Sequence, residues 1–217
     1  MSFQNLILLQ NLYRIKSLGF DYSDSFYINE DDFIKTPINI DELKKNILSC
    51  HLCDLSKSRT QSMVGFGNEN ADIMIIDYTV SKNEDIGNKF YTGKSGEILK
   101  KICQNVLKES IENIYFTHFV KCKPLNSNTP SPSECNSCKP YLLAQIEFIK
   151  PKIIITLGKE SYKNLTGDAT NFEDIRGHMS DFKNYKILPI YHPNYLLRNP
   201  ESKKTTFNDL NTIKRYI

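Results

Sequence analysis

The sequence predicts an α/β fold, a three-layer α/β/α sandwich around a central, mostly parallel sheet of four strands. Three observations lead there. From Ala71 onward, short apolar runs alternate with longer stretches of helical spacing, the pattern that builds a parallel sheet with helices on both faces. The runs Ile73–Ile76, Ile114–Val120, Ile153–Leu157 and Ile187–Tyr191 are apolar or β-branched nearly throughout, as strands covered on both sides must be. And 217 residues, 40% hydrophobic and 24% charged, suffice for one packed domain with an appendage.

Taken in order, residues 2–17 place Leu6, Ile7, Leu9, Leu12, Tyr13 and Ile15 on a helical stripe that Gly19 would end. The acidic, aromatic-spotted stretch from Asp21 to Pro37 has no clear period and reads as an ordered linker. Residues 1–40 are thus an N-terminal helix and linker extension, and 41–217 the α/β domain. Asp41 is expected to cap a short helix running to Leu48. The helical segments Glu97–Leu107, Glu134–Ile149 and Ser161–Leu165 lie between the strands, and a last helix near Thr205–Tyr216 covers one edge. In open sheets of this kind ligands sit beyond the carboxyl ends of the strands. The loops beginning near Asp77, Phe119, Gly158 and His192 are therefore where chemistry is expected.

Composition excludes several classes. No apolar run reaches eighteen residues, and the N-terminus has neither a charged leader nor a small-residue cleavage site, so a cytoplasmic protein without membrane contact is expected. Net charge is +3 from 28 basic and 25 acidic side chains, which permits nucleic-acid binding without requiring it. Six cysteines in such a chain point to metal or redox chemistry before disulfides.

Cys50-His-Leu-Cys53 is a two-residue-spaced pair suited to one metal centre. Two sets of four can be drawn from it. Adding Cys135 and Cys138 gives the double knuckle of a zinc ribbon; replacing Cys135 by Cys122 gives spread ligands that suit an iron–sulfur cube. Spacing favours zinc slightly. Cys103, within a helix of Ile98, Leu99, Ile102 and Val106, reads as a small buried hydrophobe.

Among the loops, Gly87–Ser95 imitates a nucleotide-binding loop but has five residues, not four, between its first Gly and the Gly-Lys. Nucleotide hydrolysis is rejected. His192 follows a strand directly and could act on a ligand, or merely cap a helix starting at Pro193. Glu84-Asp85 reads as a solvated turn by default. Lys121, Lys123, Arg176, Arg198, Lys203 and Lys204, interleaved with Phe90, Tyr91, Tyr191 and Tyr195, would suit single-stranded or flipped nucleotides.

These pieces, in this order, resemble the iron–sulfur uracil-DNA glycosylases, family 4 of that superfamily. The likeness rests on Cys50-x-x-Cys53 with Leu55 and Arg59, Gly65-Phe66-Gly67-Asn68, Ala71-Asp72-Ile73-Met74 and Glu84-Asp85-x-Gly87-x-x-Phe90-x-x-Gly93-x-x-Gly96. It continues through Lys121-Cys122-Lys123-Pro124, Glu134-x-x-x-Cys138-x-Pro140-Tyr141-Leu142, Pro151-x-Ile153 to Gly158, Arg176-Gly177 and His192-Pro193-x-Tyr195-Leu196-Leu197. The resemblance implies a uracil-DNA glycosylase-like fold and a 4Fe-4S cluster on Cys50, Cys53, Cys122 and Cys138, with Cys135 spare and zinc as the alternative. It implies a monomeric DNA-repair enzyme acting on uracil or another deaminated base in single- or double-stranded DNA. Phe90 would stack on the flipped base, the residue at position 118 would read its edge, and His192 would stabilise the departing anion.

Two positions depart from the family pattern. Where the family's first motif reads Gly-Glu-Ala-Pro-Gly, this chain has Asp77-Tyr78-Thr79-Val80-Ser81, and the Tyr78 phenol supplies no carboxylate beside a cationic sugar. Asp77 stands one position earlier, on the opposite strand face, so Asp85 is the expected catalytic replacement. His118 stands where the family has Asn, and one imidazole edge cannot offer an amide's paired donor and acceptor. The alternative function is a catalytically inactive iron–sulfur module that binds nucleic acid or a partner through the same cleft.

Overall fold

The computed structural model describes residues 37–125 and 129–215 and, nearer the N-terminus, residue 12 alone. The helix expected over 2–17 and nearly all of the linker that follows lie outside the described residues. From residue 37 onward the first element is α1 (Ile40–Leu48), capped by Asn39, whose side chain accepts the Glu42 N–H at 2.8 Å. The cap is thus two residues earlier than Asp41, which sits in the first turn instead, where its charge suits the helix dipole. A short α2 (Leu55–Ser58) follows. The sheet then begins with β1 (Phe66–Gly67) and β2 (Ile73–Thr79). Next come α3 (Lys82–Gly87), α4 (Gly93–Ile102) with a π-helical turn at Cys103–Leu107, and β3 (Tyr115–Val120). The long α5 (Pro132–Ile149) leads to β4 (Ile153–Leu157), α6 (Lys159–Thr166) and α7 (Phe172–Ile175). The hairpin β5 (Ser180–Phe182) and β6 (Tyr185–Ile190) precedes α8 (Pro193–Arg198) and α9 (Ser202–Asn211).

The strand order is β1-β3-β2-β4-β6-β5. The middle four are parallel, as the sequence predicts; β1 and β5 add an antiparallel strand at each edge, making six. Those two edge strands are too short, at two and three residues, to show a period in the sequence. Alternation along β2 accounts for the layers. Met74 and Ile76 join a core with Leu142 and Ile146 of α5 and Leu165 of α6. Ile73 and Ile75 join a second core with Leu99 of α4 and Leu210 of α9. Two faces buried by helices leave the carboxyl ends of the four parallel strands as the open rim. A third small core pins α1 to α5 through Leu43, Ile47, Tyr141 and Ala144. No helix among the described residues is long and apolar enough to cross a membrane.

Candidate active site and cysteine pocket

At that rim lies a cavity of about 660 Å³, lined by Asp77 and Tyr78 of β2, Ser81 and Glu84 around α3, Tyr91, and residues 92–95 where α4 starts. Gly158 and Lys159 after β4, and His192 and Asn194 after β6, close it. Two substantial helices, α4 and α6, begin at this cavity, so their unpaired N–H groups and positive dipole ends face whatever enters. The segment resembling a nucleotide loop thus contributes to the wall as a helix start.

His192 fulfils both of its candidate roles at once. Its Nδ1 accepts the Asn194 N–H at 3.0 Å, capping α8. The ring hydrogen consequently belongs on Nε2, which donates to Asp77 Oδ1 at 3.1 Å and Oδ2 at 3.2 Å. Burial alone would lower the His192 pKa, but the Asp77 carboxylate outweighs it and carries the value above the ordinary histidine range. Gly158 makes room for this ring: its φ of +83° is left-handed, and an added Cβ would come 3.3 Å from His192 Cβ.

Asp77 continues the side of β2 that carries Ile73 and Ile75, while Tyr78 turns to the other core. The Tyr78 ring packs against Phe119, and its hydroxyl meets Cys135 Sγ at 3.4 Å. Burial and that contact raise the phenol's pKa well above its usual value, the direction that disfavours a negative charge there.

Asp85 does not reach the cavity. Its side chain is buried and accepts Thr60 N–H at 3.0 Å and Thr60 Oγ1 at 2.8 Å. The expectation that Asp85 replaces the missing glutamate is corrected: on the short helix α3, Glu84 and not its neighbour faces the site. The pair is no solvated turn either, since both carboxylates are buried. Glu84 forms a capping box with Ser81, accepting Ser81 N–H at 2.9 Å and Ser81 Oγ–H at 2.8 Å, while its other oxygen takes the Tyr91 N–H at 2.9 Å. Burial would raise its pKa, but His118 and those N–H donors hold it down to about 2.

His118 and Phe90 are also placed away from the cavity wall. His118 is fully buried, 3.4 Å through Nε2 from Glu84 Oε2, with Phe90 stacked on its ring at 5.2 Å. Glu84 and Tyr91, which line the cavity, both stand against His118. Beside Tyr78, the aromatic residue at the wall is Tyr91, one position past Phe90, with a positive φ of 51°. Of the basic residues expected at the rim, Lys121 is buried and Arg176 is held by Asp209 at 2.8 Å and Glu173 at 3.1 Å. The interleaving survives in a stack: Arg176 lies 4.9 Å over the Tyr191 ring, which packs at 4.5 Å on the exposed Tyr195.

A separate small pocket is lined by Cys50, Cys53, Cys122 and Cys138, together with Arg59, Lys121 and Tyr141. The thiols come from the turn after α1, the end of β3 and the middle of α5. Cys135, one turn earlier on α5, meets Tyr78 and does not line this pocket, so the zinc-ribbon set of thiols does not share it. Arg59 Nη1 donates to Cys122 Sγ at 3.0 Å, and its Nη2 donates to Cys50 O at 2.7 Å. Burial pushes the Cys53 thiol up to about 11 and raises Cys122 and Cys138 as well. Among the described residues no three Cys, His, Asp or Glu side chains stand at the spacing of ligands on one metal ion. The four sulfurs ring the pocket without closing on a point. Four soft donors with a guanidinium already bonded to one of them fit a group that is anionic and larger than an ion. Cys103 is fully buried in the core, as expected of a small hydrophobe.

Comparison with known proteins agrees with this architecture. The family model described as uracil DNA glycosylase superfamily matches residues 64–212. The chain is 36% identical over 187 residues to a type-4 uracil-DNA glycosylase of Saccharolobus solfataricus, spanning 82% of this chain and 87% of that one. It is 32% identical over 184 residues to the type-4 uracil-DNA glycosylase of Sulfurisphaera tokodaii, covering 81% and 84%. The corresponding Thermotoga maritima protein is 32% identical over 182 residues, covering 81% and 93%.

Proposed function

The chain belongs to the uracil-DNA glycosylase superfamily, and from that membership we propose that it removes uracil, or another deaminated base, from DNA by hydrolysing the N-glycosidic bond. The observation that carries this reading is His192, set by its helix cap with Nε2–H held on Asp77 at the wall of a cavity at the carboxyl rim of the sheet. Breaking the glycosidic bond leaves negative charge on the base and positive charge on the sugar. A fixed N–H donor costs no reorganisation when it meets the developing anion. The start of α4 adds positive potential on the same side. Tyr91 supplies the aromatic wall against which a flipped base can lie.

The same reading assigns a 4Fe-4S cluster to Cys50, Cys53, Cys122 and Cys138. Bound there, the cluster would tie together three separate parts of the chain. Arg59, through its bond to Cys122 Sγ, would offset part of the negative charge. The cysteine pocket is lined by none of the cavity residues, so the role it supports is structural.

The test uses cluster-replete protein with single- and double-stranded oligonucleotides carrying one deoxyuridine, hypoxanthine or xanthine, followed by alkali. Strand breaks at the modified position, strongest with one of the three, are expected. Retention of DNA binding with no breaks on any substrate would replace this reading by that of an inactive binding module on the same fold.

A further inference from the structure

We propose that Asp77 is the catalytic carboxylate of this cleft, the group that takes a proton from the attacking water as the glycosidic bond opens. This rests on the activity proposed above and assigns one of its missing parts.

Three carboxylates line the cavity, Asp77, Glu84 and Glu160, and the sequence-expected Asp85 is not among them. Glu160 is exposed at the rim. Glu84 is buried with both oxygens occupied by Ser81 and Tyr91 donors, and displacing it would undo the cap of α3 and the backbone of Tyr91. Asp77 differs from both. Its Oδ1 accepts the Tyr78 N–H at 2.6 Å, and His192 Nε2–H is shared between Oδ1 at 3.1 Å and Oδ2 at 3.2 Å. A carboxylate has about four acceptor sites, so Asp77 keeps lone pairs to spare beside the imidazole at the cavity wall. The hydrogen split between two oxygens at 3.1 and 3.2 Å is held weakly by each. An entering base can therefore draw Nε2–H to itself and leave the Asp77 oxygens to a water molecule.

The atoms then balance. The bond between the sugar carbon and the base nitrogen breaks, and its electron pair leaves with the base, whose charge His192 Nε2–H stabilises. Water oxygen bonds to the sugar carbon, and the water proton passes to Asp77. That proton returns through solvent to the base or to bulk, restoring the carboxylate. Until transfer, the negative charge of Asp77 also lies beside the cationic sugar, which Tyr78 cannot provide.

The experiment is a set of single-turnover excision assays on Asp77→Asn, His192→Ala, the double variant and Asp77→Ala. Binding of an abasic-site oligonucleotide and thermal melting report on folding. Asp77→Asn should lose about a hundredfold or more in rate, the range of general-base removal, with abasic-DNA affinity within about threefold of the parent. In the His192→Ala background the same substitution should still cost about tenfold or more, which a residue that merely orients His192 would not. Formate should restore part of the rate of Asp77→Ala, where chloride at equal ionic strength does not. An active parent beside an equally active Asp77→Asn, or an Asp77→Asn effect that vanishes without His192, overturns this assignment alone. A parent that excises nothing overturns the activity itself.

Discussion

Each charged residue of the site owes its place to a local rule the sequence shows only in part. Glu84 and Asp85 are neighbours of like chemistry, yet the capping box with Ser81 commits Glu84 to the cavity and leaves Asp85 to Thr60. The box itself, Ser-x-x-Glu, is legible in the sequence; which acid then meets the ligand depends on helix phase. Likewise Phe90 and Tyr91 are both aromatic, and only Tyr91, with its left-handed backbone, lines the cavity. Cys50, Cys53, Cys122 and Cys138 were separable from Cys135 by resemblance and not by spacing, because partners distant in sequence meet only through the fold. Glu84 also makes a pH prediction. Its pKa falls from 4.5 unfolded to about 2 folded, so it stabilises the folded state above the unfolded value and loses that contribution as pH falls through the folded one. The shift corresponds to about 3 kcal/mol at neutral pH. Urea unfolding of the parent and Glu84→Gln should differ by an amount of this order at pH 7. The difference should shrink between pH 4.5 and pH 2. A gap that stays constant down to pH 2 would show that Glu84 is not held as a carboxylate.

At the scale of elements, the four central strands and the helices between them were legible because buried parallel strands are apolar throughout and their crossovers are long. The ends were less so: α4 starts at Gly93, four residues before the first expected position, since Gly-Lys-Ser-Gly has no apolar period. That start is what builds the cavity wall. Gly96 sits in its first turn, and a Cβ there would come 1.6 Å from Tyr91 O. Nothing flexible can give way, because the obstacle is backbone. Gly96→Ala should therefore push α4 from the Tyr91 loop, at a cost of roughly 1–3 kcal/mol. It should also slow base excision more than it weakens DNA binding, because the aromatic wall shifts while the exposed surface remains. A variant with parental melting temperature and excision rate would mean that the helix start accommodates the methyl and does not set the cavity.

For the whole molecule, the cysteine pocket joins what the sheet alone does not. Cys50 and Cys53 lie outside the strand–helix alternation, in the segment beside α1, which packs on the small core of Leu43, Ile47, Tyr141 and Ala144. Cys122 follows β3 by two residues and Cys138 lies on α5, so a cluster on these four thiols closes long loops that the unfolded chain must hold open. Without a metal, burial keeps Cys53, Cys122 and Cys138 protonated, and binding must displace those protons, which makes cluster binding part of folding. Anaerobically purified protein should be brown, with iron and acid-labile sulfide bound in equal amounts. Cys122→Ala should lose iron and melt several degrees lower, whereas Cys135→Ala, which removes only the partner of the Tyr78 hydroxyl, should keep both colour and iron. Chelation under reducing conditions should lower the melting temperature of the parent and leave Cys122→Ala nearly unmoved. A colourless protein with one zinc per chain, or iron lost from Cys135→Ala and kept by Cys122→Ala, would show that a different set of thiols holds the metal and that the pocket beside Arg59 is only a packing gap.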